Sequence, residues 1–350
     1  MLHTETETSV AKEIRDLFDP RIGHYPDKSA RWLFKVKENV RGLVEIVAQE
    51  LVDYLDFDQL KELNRSFVDD RLRDVVSDMV FSVPFRNASE VEDLTIYILI
   101  EHQSSVDPMM GFRLLYYMCQ IWDGQWREME EAKLPKNQWR LRPILSIVYY
   151  TGEQRWQIPL TLTAVMDVPD ALSRFVPSFD TLFLGVKDAE IDELTKTGHP
   201  FGWLLTVLQQ EHADKTSIHE AMRETLSHLD TLPSEQTVQY RQAILYLYSL
   251  VIFRRPDDEQ EELIQLLRTH TQDKEVENII MTGAEALIQQ GVIQEKQAAV
   301  FKLLRHHFAD VPQSIVDEIN EIEDMKFLDI LFEQILNAST LSDIELPEKH

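Results

Sequence analysis

A chain of 350 residues with 44% apolar side chains is long enough for one large or two ordinary domains with a real core. Its 61 acidic and 35 basic residues give a net charge of −26, which opposes general binding to phosphate-rich partners. No stretch reaches the roughly 18 consecutive apolar residues of a membrane span, and a single cysteine, Cys119, excludes an intrachain disulfide or thiolate metal cluster.

These features, with an acidic N-terminal stretch that lacks an apolar signal core, suit a cytoplasmic protein. The charge is uneven. Residues 1–158 hold 20 of the basic side chains, whereas residues 256–350 carry 21 acidic and 7 basic ones. A local basic surface is therefore compatible with the first part of the chain.

After a polar stretch, Asp27-Lys28-Ser29 opens a helical pattern through residue 55, with Leu33, Val36, Val40, Val44, Ile46, Val47 and Leu51 at helical spacing. A second short helix is expected over Phe57–Asn64. Ser77–Phe85 shifts to period two and reads as a strand, and Asn87–Asp93 as a polar turn. The apolar run from Leu94 stops at Glu101-His102-Gln103, the signature of a buried strand emerging from a sheet. The two strands are expected to pair as an antiparallel hairpin.

Asp107 before Pro108 suggests a capped helix start. Pro108–Glu131 is apolar on nearly every side in its first half and reads as a buried helix, with Arg113 the exception and Cys119 a core thiol. Lys133–Arg142 is a basic loop, Pro143–Thr151 a further buried strand closed by Gly152, and Thr181–Val186 another. Beyond about residue 188, helical patterns cover Phe201–His212, Ile218–Leu229, Gln236–Phe253, Asp258–Thr269 and Val276–Gln289. Ile293–Asn337 reads as three acidic amphipathic helices. The order indicates an α/β fold with a mixed-sheet core and an α-helical C-terminal half, divided as 1–188, 189–290 and 291–350.

The chemistry-bearing candidates lie at one strand end. Residues i and i+2 of a strand share a face, so Glu101 and Gln103 point the same way. Asp78, on the neighbouring strand, could bring a second carboxylate. Two carboxylates on a rigid sheet suit Mg²⁺ or Mn²⁺, which would activate water against a phosphodiester. The alternative places Asp78 in a turn and Glu101 at an exit into solvent. Lys133, Lys136, Arg140 and Arg142 with Trp139 between them are candidate DNA contacts, or an ordinary solvated loop. The histidines show no metal spacing, and no glycine-rich phosphate loop or nucleophile elbow occurs.

Asp78, then Ile100-Glu101-His102-Gln103-Ser104-Ser105, Phe112-Arg113-Leu114 and Tyr117, resemble the Rpn family of recombination-promoting nucleases, within the PD-(D/E)XK superfamily. The resemblance covers roughly residues 24–186, and the acidic segment Ala298–Glu345 is similar to the family's helical tail. It implies a restriction-endonuclease-like core and a Mg²⁺-dependent (or Mn²⁺-dependent) DNA endonuclease linked to recombination or mobile elements. By this likeness Asp78 and Glu101 are the metal ligands and Gln103 stands where the superfamily has lysine. A glutamine can orient water or metal but supplies neither a cation nor a base. Arg113 would then supply the positive charge, or pair with a core carboxylate such as Glu101. Asp27 resembles the family's first-helix aspartate and is an accessory candidate or a helix cap. The alternative function is a catalytically weak or inactive nuclease-like protein acting as an interaction or oligomerisation module. A homo-oligomer through the C-terminal helices is an expected partner, and a membrane is not.

Overall fold

The computed structural model describes residues 25–63, 79–86, 95–233 and 236–271, with parts of 277–338. Asp78, the turn Asn87–Asp93 and nearly all of Val276–Gln289 lie outside the described residues. The chain divides into two compact units, residues 1–276 and 277–350.

The first unit is built on a five-stranded mixed sheet, in the order β1 (Lys61–Glu62), β2 (Met79–Pro84), β3 (Thr95–Gln103), β4 (Ile144–Tyr150) and β5 (Leu182–Gly185). β1 pairs antiparallel with β2 and β2 with β3, while β3, β4 and β5 are mutually parallel. The expected hairpin is present: Met79 pairs with Ile100 and Pro84 with Thr95. From Ile96 to Gln103 every β3 residue is buried, because helices cover both sheet faces.

The long helix α3 (Met110–Glu131) connects β3 to β4 and covers one face; α1 (Tyr25–Phe34) and α2 (Lys37–Val47) precede the sheet in sequence. Tyr97, Leu99 and Val148 of the sheet pack with Met110, Leu114, Tyr117, Met118 and Ile121 of α3. Gly111 lets the segment after β4 pass close to α3, since a Cβ there would lie 2.6 Å from the Thr161 carbonyl oxygen. On the other face Phe34 meets Tyr149 edge-on, with ring centroids 5.2 Å apart. Phe201 of α5 packs beside both rings.

Helices α4 (Ile191–Thr195), α5 (Pro200–Gln209), α6 (Lys215–Leu229), α7 (Thr237–Arg254) and α8 (Asp257–His270) complete the described part of this unit. In the second unit, α9 (Met325–Asn337) contributes Leu328, Leu331 and Ile335 to an apolar cluster with Val300, Leu304, Ile319 and Ile322.

Three local expectations are corrected. The long first helix is two helices followed by a 3₁₀ turn, Gln49–Tyr54. Val36 is extended, and the buried Asn39 side chain donates to the Leu33 carbonyl at 2.7 Å, closing the first helix. Phe57–Asn64 is not a helix: a 3₁₀ turn, Phe57–Gln59, leads into edge strand β1, and Asn64 is outside the described residues. Finally, α3 is buried on one side only. Phe112, Tyr116 and Trp126 are exposed, as is Cys119, which is therefore not a core thiol.

Candidate active site

Strand alternation divides Glu101-His102-Gln103 between the two faces of the sheet. Glu101 and Gln103 lie on the α3 side, across from Val148 and Tyr150 of β4. His102 lies on the side of α1.

On the α3 side, Glu101 is fully buried. Its Oε1 accepts from Gln103 Nε2 at 2.6 Å and from Arg113 Nη2 at 2.8 Å. Its Oε2 is buried with no hydrogen-bond partner among the described residues. Arg113 sits one turn into α3 and is also fixed elsewhere. Its Nη1 donates to Asp107 Oδ2 at 2.7 Å and its Nη2 to the Tyr117 hydroxyl at 3.0 Å. Burial works against the guanidinium charge, but the bonds to Asp107 and Tyr117 outweigh it and hold the Arg113 pKa above its ordinary value. The cluster brings together two carboxyl groups and one guanidinium.

Asp107 was expected to cap a helix beginning at Pro108. The helix begins at Met110 instead, and Asp107 Oδ1 accepts the Met109 N–H at 2.8 Å while Oδ2 binds Arg113. One carboxylate thus closes the turn and orients the cation.

On the opposite side, His102 Nδ1 meets Asp27 Oδ1 at 2.9 Å and Nε2 meets Thr151 Oγ1 at 2.9 Å. Asp27 stands in the first turn of α1, tying that helix to the strand end. It does not share the face of Glu101.

The basic loop lies against the far half of α3. Lys133, Lys136, Arg140 and Arg142 are exposed and Trp139 is half-buried. The Trp139 ring meets Trp126 edge-on at 5.0 Å, and Lys136 Nζ lies 5.8 Å from the Trp139 ring centre. Arg140 donates to the carbonyls of Asn137 and Trp139.

Another acidic group occurs among the described residues: Glu153, Glu211 and His212 present ligand atoms within 4.8 Å of one another. Lys187 Nζ already sits 3.0 Å from Glu153 and 2.9 Å from Glu211, so cationic charge there comes from the chain itself.

The pattern described as "Putative transposase, YhgA-like" matches residues 25–238, more than half of the chain and the whole of this site. The chain belongs to that family. It is 31% identical over 118 residues to "Recombination-promoting nuclease RpnD" of Escherichia coli O157:H7, covering 33% of this chain and 41% of the relative. It is 41% identical over 85 residues to "Putative inactive recombination-promoting nuclease-like protein YjiP" of Escherichia coli K12, covering 24% of this chain and 79% of the relative. The match thus spans less than half the length of the first relative. No solved structure matches.

Asp107, Tyr117 and Thr151 are polar members of these two clusters to which the sequence reading gave no role at the site. Asp107 was read as a helix cap, Tyr117 as part of the family resemblance, and Thr151 as the end of a buried strand.

Proposed function

We propose that this protein is a divalent-metal-dependent DNA endonuclease. The observation that carries the reading is Glu101 Oε2, a buried carboxyl oxygen with no hydrogen-bond partner among the described residues, in a cluster that also holds the Asp107 carboxylate. Leaving such an oxygen unpaired costs about 1–3 kcal/mol, which a hard, oxygen-seeking cation would recover. The carboxyl chemistry of Glu101 fits Mg²⁺ or Mn²⁺, which Glu101 and Asp78 would hold. Asp78 precedes Met79, and Met79 pairs with Ile100, the residue before Glu101. When bound, such an ion polarises phosphate and lowers the pKa of coordinated water.

Gln103 is neutral and cannot take a proton near pH 7; with its amide nitrogen spent on Glu101, its carbonyl oxygen orients the attacking water. Arg113, with its side chain 21% exposed, faces the phosphate and stabilises the charge that develops there. Lys133, Lys136, Arg140 and Arg142 hold the DNA backbone away from the cut. The nuclease name of one relative supports the activity.

A second reading has its own support. One relative is named inactive, and Gln103 supplies no base. In that reading the chain keeps the nuclease architecture as an interaction module. Plasmid nicking separates the two. Purified protein should relax supercoiled DNA with Mg²⁺ or Mn²⁺ and not with EDTA, and Asp78→Asn or Glu101→Gln should abolish it. No nicking by the wild type with any divalent ion, or equal nicking by these variants, favours the interaction module.

A further inference from the structure

Most of α3 is explained by its inner stripe, which fills the core against the sheet. Its outer stripe is not. Phe112, Tyr116 and Trp126 are 46%, 38% and 52% exposed, a large aromatic surface to leave in water. Together with Cys119 and Asp123 they recur at alternating steps of four and three, so they share one helix face. The Phe112 and Tyr116 rings lie nearly parallel, 24° apart in plane with centroids separated by 6.3 Å. At the far end Trp126 meets Trp139.

The loop carrying Trp139 is built onto this helix. Arg142 N–H donates to Gln125 Oε1 at 2.7 Å, and Trp122 Nε1 donates to the Arg142 carbonyl at 3.0 Å. Lys133 turns the chain back by adopting a left-handed conformation, φ 52°, which disfavours a side chain. In a protein of net charge −26, residues 132–143 contain four cations and no carboxylate. Rings and cations together select a ligand that has flat π-faces and regular negative charge.

We propose that the outer face of α3 and this loop form a platform for single-stranded DNA, whose unpaired bases stack on Phe112, Tyr116 and Trp126 while its phosphates meet the basic loop. A duplex keeps its base faces stacked inside and would offer these rings nothing. A second copy of the chain suits the surface less well, because the exposed Asp123–Arg127 ion pair would be taken out of water at the centre of such a seam. The thirteen steps from Arg113 to Trp126 span about 20 Å of helix, enough for several nucleotides. The stripe begins beside Arg113, so the strand leads to Glu101; this direction rests on the nuclease reading.

The test is binding of a fluorescent oligo-dT and of a duplex to the full chain in EDTA, where cleavage plays no part. The single strand should bind at least tenfold more tightly. Alanine at Phe112, Tyr116 or Trp126 should each weaken it by about 5- to 100-fold, with unchanged circular dichroism because the rings are exposed. Equal affinity for duplex and single strand, or no effect of the ring substitutions, overturns the proposal. So does self-association that those substitutions abolish while oligo-dT binding persists. Nicking is scored separately: ring-dependent binding without nicking supports the platform while the nuclease reading fails. Nicking that ignores the rings leaves the nuclease and removes the platform.

Discussion

On the α3 side of the sheet, Glu101 has one oxygen shared by Gln103 and Arg113 and the other with no partner among the described residues. On the α1 side, the adjacent His102 has both ring nitrogens bonded, to Asp27 and Thr151. Both side chains are buried at the same strand end, and each keeps company with an ionisable partner. One arrangement is closed by the chain and serves to dock a helix. The other is left one bond short, and buried polar groups are rarely left so unless something else completes them. On the proposed reading, the contrast separates a structural polar cluster from a metal-binding one within two consecutive residues.

Removing a partner on each side tests this difference. Arg113→Ala should produce the largest loss of stability, about 3–5 kcal/mol, because it strands Glu101 as a buried charge. Adding Glu101→Gln should restore most of that loss in urea unfolding. If Arg113→Ala is harmless alone, the cluster is not the tightly held charge pair described here.

The α1 side should carry acid sensitivity of its own. His199, at the start of α5, accepts the Phe201 N–H on Nδ1 at 3.1 Å and is held neutral. Burial is the main cause and lowers its pKa to about 4; Glu45 opposes this and Arg41 adds to it. The unfolded imidazole takes its proton near 6.5 and the folded one only near 4, so this contribution is complete above pH 6.5 and is lost as pH falls through that window. A fall of roughly 3 kcal/mol between pH 7 and 4 is expected from this group. His199→Asn, which keeps a capping acceptor, should flatten that part of the pH profile; an unchanged profile would refute the assignment.

Asp27→Ala should cost less, about 1–3 kcal/mol, by leaving His102 Nδ1 without its carboxylate. Nicking per folded molecule should be unaffected. A selective loss of nicking at full stability would move Asp27 from the structural side of the comparison to the functional one.

Much of this was legible in the sequence, for identifiable reasons. β3 and most of β4 are buried on both faces, and such strands read as nearly unbroken apolar runs. The Glu101–Gln103 pairing followed from strand period alone. The break after Phe34 was not legible, because it depends on an Asn39 amide reaching back to a carbonyl and not on any change of period. The outer face of α3 was misread because large aromatics there make the helix look apolar all round. Asp107 was read as a cap, and its second task of holding Arg113 needed three-dimensional placement. Asp78 lies outside the described residues, so its carboxylate enters the proposal on sequence and likeness.

The most direct measurement is Mn²⁺ binding followed by thermal unfolding, which reads the Glu101 site without requiring DNA. A hundredfold excess of ion over its dissociation constant should add about 2.7 kcal/mol of stability, and both Glu101→Gln and Asp78→Asn should erase that gain. A wild-type chain whose melting temperature ignores Mn²⁺ and Mg²⁺, or variants that respond as the wild type does, would contradict the reading of Glu101 Oε2 as a metal-binding oxygen.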